Sequence, residues 1–256
     1  KDISVVNKKA DPKTNIQEKE IALINVDLYF VNKRKNSIEK KVRAGDKEAK
    51  LIFEIILKVI DQLEDGKPAR EINFSKDDFF IVKKLNLLTF KPVLFVANVD
   101  EESSVDGNDY SHELTKLGAS KGIKTITMSA KLESEISEIS NIEERNEFLI
   151  ALNLVESGLE KLAKAGYDLL DLVTYFTAGP KEVRAWTIKK GTIAKDAAGK
   201  IHDDFSRGFI AAETISFNDY IKLGGEQKAR ENGYIRTEGK EYIVIDGDII
   251  VFRFNV

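Results

Sequence analysis

The length, composition and charge of the chain bound the class of protein it can be. It has 256 residues, of which 42% are hydrophobic, and a formal net charge of −3 at pH 7. This length and composition predict two or three globular domains with buried cores. The near-neutral charge argues against nucleic-acid binding over the whole surface, although 32% charged residues allow local basic patches. The sequence has no cysteine and two histidines, which excludes disulfides, thiolate catalysis and Cys-ligated zinc within it and predicts no His-based metal site.

Heptad-spaced apolar residues predict an antiparallel helical hairpin near the N-terminus. Thr14 and Gln17 match a capping box that would start the first helix. Gly45 and Asp46 interrupt the pattern, and Asp46 suits the cap of a second helix. The apolar stripes are Ile21, Ile24, Leu28, Val31, Ile38 and Val42 in the first helix, and Ile52, Ile56, Val59 and Leu63 in the second. Because neither helix is stable alone in water, we expect the two stripes to pack together.

Basic residues gather near the turn of this hairpin. They are Lys33, Arg34, Lys35, Lys40, Lys41 and Arg43. Such a group is either an ordinary solvated helix surface or a contact for an acidic partner such as ribosomal RNA. The sequence leaves both interpretations open.

Two short apolar runs, residues 91–97 and 124–128, predict buried parallel strands that follow a short helix capped by Ser75. Each run ends in polar residues suited to a tight loop, and ligands of open α/β sheets bind at the carboxyl ends of the strands. The two loops contain the candidate nucleotide-binding residues Asn98, Val99 and Glu101, and Ser129, Ala130 and Lys131. An Asn followed three places later by an acidic residue, paired with Ser-Ala-Lys, resembles the base-recognition half of a GTPase-type site. Ser129 also suits the cap of the helix that follows it.

The phosphate-binding half of such a site is missing from the sequence. Phosphate binding needs a loop of the form Gly-x-x-x-x-Gly-Lys-Ser/Thr, whose backbone N–H groups cradle the phosphates. The three Gly-Lys pairs of the chain are followed by Pro68, Ile201 and Glu241 instead. The chain begins at Lys1 and its single methionine is Met128, so we expect that an N-terminal segment has been cut away. We assign no catalytic residue and no metal ligand.

The residues of the two loops favour adenine over guanine. GTP-binding proteins usually carry Asn-Lys-x-Asp, whose carboxylate accepts from the N1–H and N2 amino groups of guanine; here Val99 replaces the Lys and Glu101 stands where the Asp would. Adenine has a lone pair at N1, so a carboxylate aimed there would be repelled. Asn98 can accept from the adenine N6 amino group and donate to N7, while Ala130 and Lys131 offer backbone N–H groups to the base edge and the Lys131 stem lies along the ring. The alternative is that Asn98 only forms a turn at a strand end.

The C-terminal region predicts a small α+β domain. Strand-like runs occur at residues 172–177, 183–188, 209–215, 242–245 and 249–254, with a helix at residues 197–205. Asp246-Gly247 predicts a tight hairpin between the last two runs, because Asp and Gly tolerate positive φ. Short mixed strands packed on one or two helices indicate a β-grasp domain, with Trp186 in its core.

Several longer strings resemble one family, the Obg-like ATPases of the YchF type, over essentially the whole chain. These strings are Gly45-Asp46-Lys47-Glu48-Ala49-Lys50, Leu88-Thr89-Phe90-Lys91-Pro92, Ala97-Asn98-Val99-Asp100-Glu101, Glu133-Ser134-Glu135-Ile136, Tyr175-Phe176-Thr177-Ala178-Gly179, Lys181-Glu182-Val183-Arg184-Ala185-Trp186-Thr187, Asp246-Gly247-Asp248 and Phe252-Arg253-Phe254-Asn255-Val256. The resemblance implies an α/β and α+β fold: an incomplete P-loop G domain with an inserted α-helical coiled-coil hairpin, followed by a ubiquitin-like β-grasp TGS domain. On this basis we expect a G-domain remnant at residues 1–16, the coiled coil at 17–87, the C-terminal part of the G domain at 88–170 and the TGS domain at 171–256.

The family resemblance also implies a function. Members are cytoplasmic, hydrolyse ATP with magnesium and associate with ribosomes; the chain is expected to keep base recognition, while the loops that hold phosphate, magnesium and the hydrolytic water belong to the segment absent here. We therefore predict that this chain alone binds ATP weakly and does not hydrolyse it. The sequence also contains no apolar run long enough to span a membrane. The alternative function is a non-catalytic module that binds the ribosome or RNA through the helical hairpin and the basic residues Arg184, Lys189, Lys190 and Lys195.

Overall fold

The computed structural model describes residues 11–179 and 182–255. The chain divides into two compact units, residues 1–162 and 163–256. Both units contain helices and strands. Most of the predicted segment 1–16 lies outside the described residues. No helix in the described ranges is both long enough and apolar enough to cross a membrane.

A helical hairpin begins the first unit, as predicted. Helix α1 (Pro12–Arg43) and helix α2 (Lys47–Glu64) pack along each other, and Asp46 caps α2 by accepting from the N–H of Ala49 at 3.0 Å. The predicted capping box at Thr14 is wrong, because Asp11 caps α1 by accepting from Lys13 N–H at 3.1 Å. Pro12, just after the cap, suits the first helical turn, where its missing N–H costs no hydrogen bond.

The seam between the two helices follows part of the predicted stripe. Ile24, Val31 and Ile38 are buried at seven-residue spacing, but Ile21 is 53% exposed. Leu28 of the predicted stripe packs half-buried against this core, and beside it in the chain Asp27 is 2% exposed. Its two oxygens accept from the backbone N–H groups of Leu88 and Thr89 at 2.9 and 2.7 Å.

Helix α3 (Lys76–Leu85) closes the hairpin core. Ser75 caps it, as predicted, by accepting from Asp78 N–H at 3.1 Å, and a short 3-10 turn (Ala69–Glu71) precedes it. The buried residues of this core are Ile24, Val31, Ile38, Ile55, Ile56, Val59, Ile60, Leu63, Ala69, Val82 and Leu87.

A parallel strand pair and four helices follow the hairpin along the chain. Strand β1 (Phe95–Asn98) pairs in parallel with strand β2 (Thr125–Met128), so the two strands and their parallel pairing are confirmed. Strand β1 starts later than the apolar run at 91–97, and the predicted burial is wrong for it, because Val96 is 42% exposed. Helix α4 (Asp109–Ser120) connects them, and α5 (Ala130–Glu138), α6 (Ile142–Ala151) and α7 (Gly158–Leu169) follow. The register places Asn98 opposite Met128, so the two loops that follow leave the same edge of the pair.

The second unit is built on a mixed five-stranded sheet. Its strands are β3 (Leu172–Ala178), β4 (Val183–Lys189), β5 (Phe209–Ser216), β6 (Arg236–Glu238) and β7 (Asp248–Phe254), in the order β4-β3-β7-β5-β6. Only the β3–β7 pair is parallel. The helices of this unit are α8 (Ala194–Ile201), α9 (Asp203–Arg207), α10 (Phe217–Leu223) and α11 (Glu226–Glu231).

The core of this sheet is centred on Tyr175. Its side chain is fully buried, its hydroxyl donates to the carbonyl of Ala197 at 2.8 Å, and Trp186 stacks nearly parallel to it with ring centroids 6.4 Å apart. Burial raises the pKa of the Tyr175 hydroxyl well above its usual value. Trp186 therefore packs against the core, as the sequence predicts, and its Nε1–H donates to Thr177 Oγ1 at 2.9 Å.

Three predictions for this region are wrong. Residues 242–245 form no strand; Ile243 makes a single bridge with Ile193. Asp246-Gly247 does not turn a hairpin, because Asp246 accepts from Thr174 N–H at 2.7 Å and Gly247 N–H donates to the Thr174 carbonyl at 2.8 Å, which docks the turn beside β3. The helix predicted at residues 197–205 is two helices, α8 and α9, because the chain becomes extended at His202 with φ −160°.

Candidate nucleotide-base site

The two loops predicted to bind a base are joined by a direct hydrogen bond. The N–H of Ala130 donates to Oδ1 of Asn98 at 2.9 Å. The parallel pairing extends to the same point, since the N–H of Val99 donates to the carbonyl of Met128 at 3.0 Å. Asn98 and the Ser129–Lys131 segment are therefore held side by side at the carboxyl edge of the strand pair, where α/β proteins bind ligands.

Ser129 has a structural role beneath this edge. It is 2% exposed, and its hydroxyl accepts from the N–H of Leu132 at 3.5 Å as the N-cap of α5. Its carbonyl accepts from the N–H of Glu133 at 3.0 Å. Ser129 thus orients the start of α5, and the two residues after it, Ala130 and Lys131, are exposed.

An ion pair joins the loops a second time. The ammonium group of Lys131 contacts the carboxylate of Glu101, and these side chains are 75% and 42% exposed. Asp100, between Asn98 and Glu101, is held in its own loop: hydrogen bonds from the Ser103 hydroxyl and then from its backbone N–H, at 2.9 Å, lower the pKa of the Asp100 carboxyl. Glu101 thus forms an ion pair with the second loop, whereas Asp100 is bonded within the first loop.

Glu133 supports the site through the start of α7, a role not predicted from the sequence. It is 6% exposed, and its two carboxylate oxygens accept from the N–H groups of Gly158 and Leu159, at 2.6 and 3.0 Å. These N–H groups start α7 and have no helical partner, so a carboxylate is well suited to them. No local pattern indicates this role, because Glu133 and Gly158 are 25 residues apart in the chain.

Gly158 is needed for this approach. A Cβ at Gly158 would lie 2.6 Å from Cβ of Met128 and 2.8 Å from Oε1 of Glu133. Only a residue without a side chain lets the start of α7 reach the end of β2. The site is therefore supported by a buried carboxylate and a close backbone approach.

The arrangement offers hydrogen-bonding groups at the edge of the strand pair. Asn98 uses one lone pair of Oδ1 on Ala130, so its NH₂ group and the second lone pair are the groups it can offer to a purine. The N–H of Ala130, which was predicted to contact the base edge, instead donates to Asn98. Val99 is half-buried and contributes its backbone to the strand pairing. Within residues 11–179 and 182–255, no group of three or more His, Cys, Asp or Glu side chains is arranged to hold a metal ion.

Comparisons with known proteins return one family. A family model described as YchF-GTPase_C, protein of unknown function (DUF933), matches residues 172–255. The chain is 46% identical over 256 residues to the ribosome-binding ATPase YchF of Bacillus subtilis (strain 168), covering 99% of this chain and 70% of that protein. It is 43% identical over 251 residues to the ribosome-binding ATPase YchF of Escherichia coli O157:H7, covering 98% and 69%. The structure of the Schizosaccharomyces pombe YchF GTPase is similar, with a TM-score of 0.80, 32% identity and coverage of 99% and 69%.

Proposed function

This chain belongs to the YchF family, and from that premise we propose that it supplies the base-recognition and ribosome-binding parts of an ATP-hydrolysing P-loop protein. The family's members are P-loop nucleotide hydrolases, named as ribosome-binding ATPases in the bacterial relatives and as a GTPase in the yeast structure. The observation that supports the proposal most directly is the Asn98–Ala130 hydrogen bond, because it brings the two candidate base-binding loops to one edge.

Adenine is the proposed base. With Oδ1 of Asn98 bonded to Ala130, the amide NH₂ is oriented away from that bond and can donate to the N7 of a purine. The remaining lone pair of Oδ1 can accept from the N6 amino group of adenine, whereas guanine has a carbonyl at that position and would meet it lone pair to lone pair. The N7 contact is open to either purine, so the proposed preference for adenine depends on the contact between the N6 amino group and the second lone pair of Oδ1.

Base contacts alone give weak binding. The 256 residues contain no Gly-x-x-x-x-Gly-Lys-Ser/Thr sequence, so the groups that hold the phosphates and magnesium of ATP are not supplied by them. We expect a dissociation constant of about 1 mM or weaker, which corresponds to roughly −4 kcal/mol. ATP hydrolysis by this chain alone is expected to be negligible for the same reason.

The ribosome is the proposed partner, in the cytoplasm. The basic residues near the α1–α2 turn include Lys40, Lys41 and Arg43 in the last turn of α1, where positive charge also suits the helix dipole. We propose the coiled-coil domain at residues 17–87, the G-domain part at 88–170 and the TGS domain at 171–256. The order β4-β3-β7-β5-β6, with parallel central strands β3 and β7, supports the β-grasp assignment of the last.

Titration of the ¹⁵N-labelled chain with ATP and with GTP, followed by NMR, tests base recognition. We expect ATP to shift the amide signals of residues 98–101 and 129–131 at millimolar concentration, and GTP to shift them less. GTP binding at equal or lower concentration would contradict the adenine assignment. Magnesium-dependent phosphate release by the purified chain, above that of a heat-denatured sample, would contradict the predicted inactivity.

A second candidate function is ribosome or RNA binding without nucleotide chemistry. It is favoured by the guanidinium of Arg184, which lies 4.2 Å from the centre of the Trp186 ring on the edge strand β4 and is 55% exposed. A cation stacked on an aromatic ring is a surface that RNA can use. Cosedimentation of the chain with ribosomes, unchanged by ATP and weakened by Arg184→Ala, would favour this candidate over the first.

A further inference from the structure

The position of Glu101 conflicts with its expected use. In guanine-specific sites, a carboxylate three residues after the Asn accepts from two donors of the base. Here the carboxylate at that position comes from Glu101, whose side chain is one methylene longer than Asp, and it contacts the ammonium group of Lys131 from the other loop. The group that would read guanine is thus already paired within the protein.

We propose that Lys131 determines the choice of purine by holding Glu101 in this ion pair, an inference that rests on the proposed base site. A free carboxylate at the base edge would have two effects: it would attract the N1–H and N2 amino donors of guanine, and it would repel the N1 lone pair of adenine. Pairing with an ammonium group offsets the negative charge and occupies one of the acceptor oxygens. The ion pair therefore weakens the attraction for guanine and the repulsion of adenine, and both changes favour adenine.

The hydrogen bond between Asn98 and Ala130 makes this pairing possible. The Asn98–Ala130 bond fixes the loops side by side, so Lys131, the residue after Ala130, is placed within reach of Glu101. Lys131 is then a positioning residue for Glu101, while its aliphatic stem stays available to cover the face of a base. Asp100 does not compete for the ammonium group through its Oδ1, which accepts from Ser103 N–H.

A set of four proteins tests the proposal: the unchanged chain, Lys131→Met, Glu101→Gln and the double variant. Methionine keeps an apolar stem of similar length and removes the charge. The probes are AMP and GMP, titrated by NMR into the ¹⁵N-labelled chain at fixed ionic strength. Lys83→Met, which removes another exposed lysine, on α3, is the matched control.

We expect the unchanged chain to bind AMP more tightly than GMP. In Lys131→Met, the freed carboxylate should lower the ratio of the GMP to the AMP dissociation constant by about two- to fivefold, the range of an exposed ion pair. Adding Glu101→Gln should abolish that change, because the amide lacks the charge that guanine would use. Lys83→Met should leave the ratio unchanged.

The possible failures can be told apart. If the unchanged chain shows no shifts at residues 98–131 with either nucleotide, the proposed base site itself is wrong. If AMP is preferred but Lys131→Met leaves the ratio unchanged, the base site stands and the role of Lys131 is overturned. The same conclusion follows if GMP binding improves equally in Lys131→Met and in the double variant, because Glu101 would then have no part in the effect.

Discussion

The carboxyl edge of the β1–β2 pair and the interior of the five-stranded sheet are stabilised in different ways. Around the pair, polar contacts connect loops and helix ends, including Asn98 with Ala130 and Glu133 with Gly158. In the larger sheet, separate apolar clusters pack on it, one with Tyr175 and Ile250 and the other with Ile215 and Ile249. The difference indicates that substitutions at the edge of the pair should change ligand contacts, whereas substitutions inside the sheet should change stability.

The largest expected effect is at the centre of the sheet. Tyr175→Ala removes a fully buried ring and should lower the free energy of unfolding by about 3–5 kcal/mol, as for other large-to-small changes of buried aromatic residues. Tyr175→Phe keeps the ring and removes only the bond to Ala197, so it should cost about 0.5–1.5 kcal/mol. Urea unfolding followed by circular dichroism measures both. Equal costs for the two variants would show that the hydroxyl, rather than the ring, stabilises this core.

A steric test of the strand-pair region uses two glycines of the same helix. Gly158→Ala should destabilise the protein by about 1–3 kcal/mol, since its Cβ would collide with Met128 and Glu133. Gly166→Ala is the control, because no heavy atom lies within 4 Å of a Cβ there, and it should stabilise α7 by about 0.5–1 kcal/mol. Thermal unfolding of the two variants should shift the midpoint in opposite directions. A shift in the same direction would contradict the close approach at Gly158.

A substitution at Asn98 is expected to weaken ligand binding with little change in stability. Asn98→Asp keeps an oxygen to accept from Ala130 and loses the NH₂ donor proposed for N7 of the base. We expect AMP binding to weaken about tenfold and the free energy of unfolding to change by less than about 0.5 kcal/mol. NMR titration and urea unfolding measure the two quantities. Unchanged AMP affinity would remove Asn98 from the proposed site.

The smallest expected effect is a pH dependence at a buried carboxylate of the sheet. Glu213 on β5 is 7% exposed, and a hydrogen bond from Arg230 at 2.7 Å, together with the charges of Arg230 and Arg253, lowers the pKa of its carboxyl below the ordinary value of 4.5. Because the folded pKa is depressed, this stabilisation is complete above the ordinary value and is lost as the pH falls through the folded value. With Arg230 half exposed, we expect a contribution of less than about 1 kcal/mol.

Comparing the pH dependence of urea unfolding in the unchanged chain and in Glu213→Gln measures this contribution. The variant should lose less stability than the unchanged chain between neutral pH and the acid range below 4.5. Parallel curves for the two proteins would mean that Glu213 is not stabilised by its arginines. Asp100, whose pKa is also lowered but which is exposed, serves as a surface comparison through Asp100→Asn.

The sequence predicts the parts of the site that depend on local pattern. The apolar runs locate β1 and β2, and the polar residues after them locate Asn98 and Ser129. The cap at Ser129 also follows from its position before a helix. The support from Glu133 and Gly158 could not be predicted, because these residues are separated by a helix and meet only when α7 packs at the end of β2.

By itself, the sequence determined the helical hairpin, its Asp46 cap and most strands of the C-terminal sheet, because periodicity and capping depend on neighbours within a turn or a strand. Only the tertiary structure decided which partner each polar group found. The Asp246-Gly247 turn bonds Thr174 rather than closing a hairpin, the buried Asp27 accepts from two N–H groups that are distant in the chain, and Glu101 pairs with Lys131. Hydrogen bonds and ion pairs form with whatever group lies within a few ångströms, and that proximity is set by the packing of segments far apart in the chain.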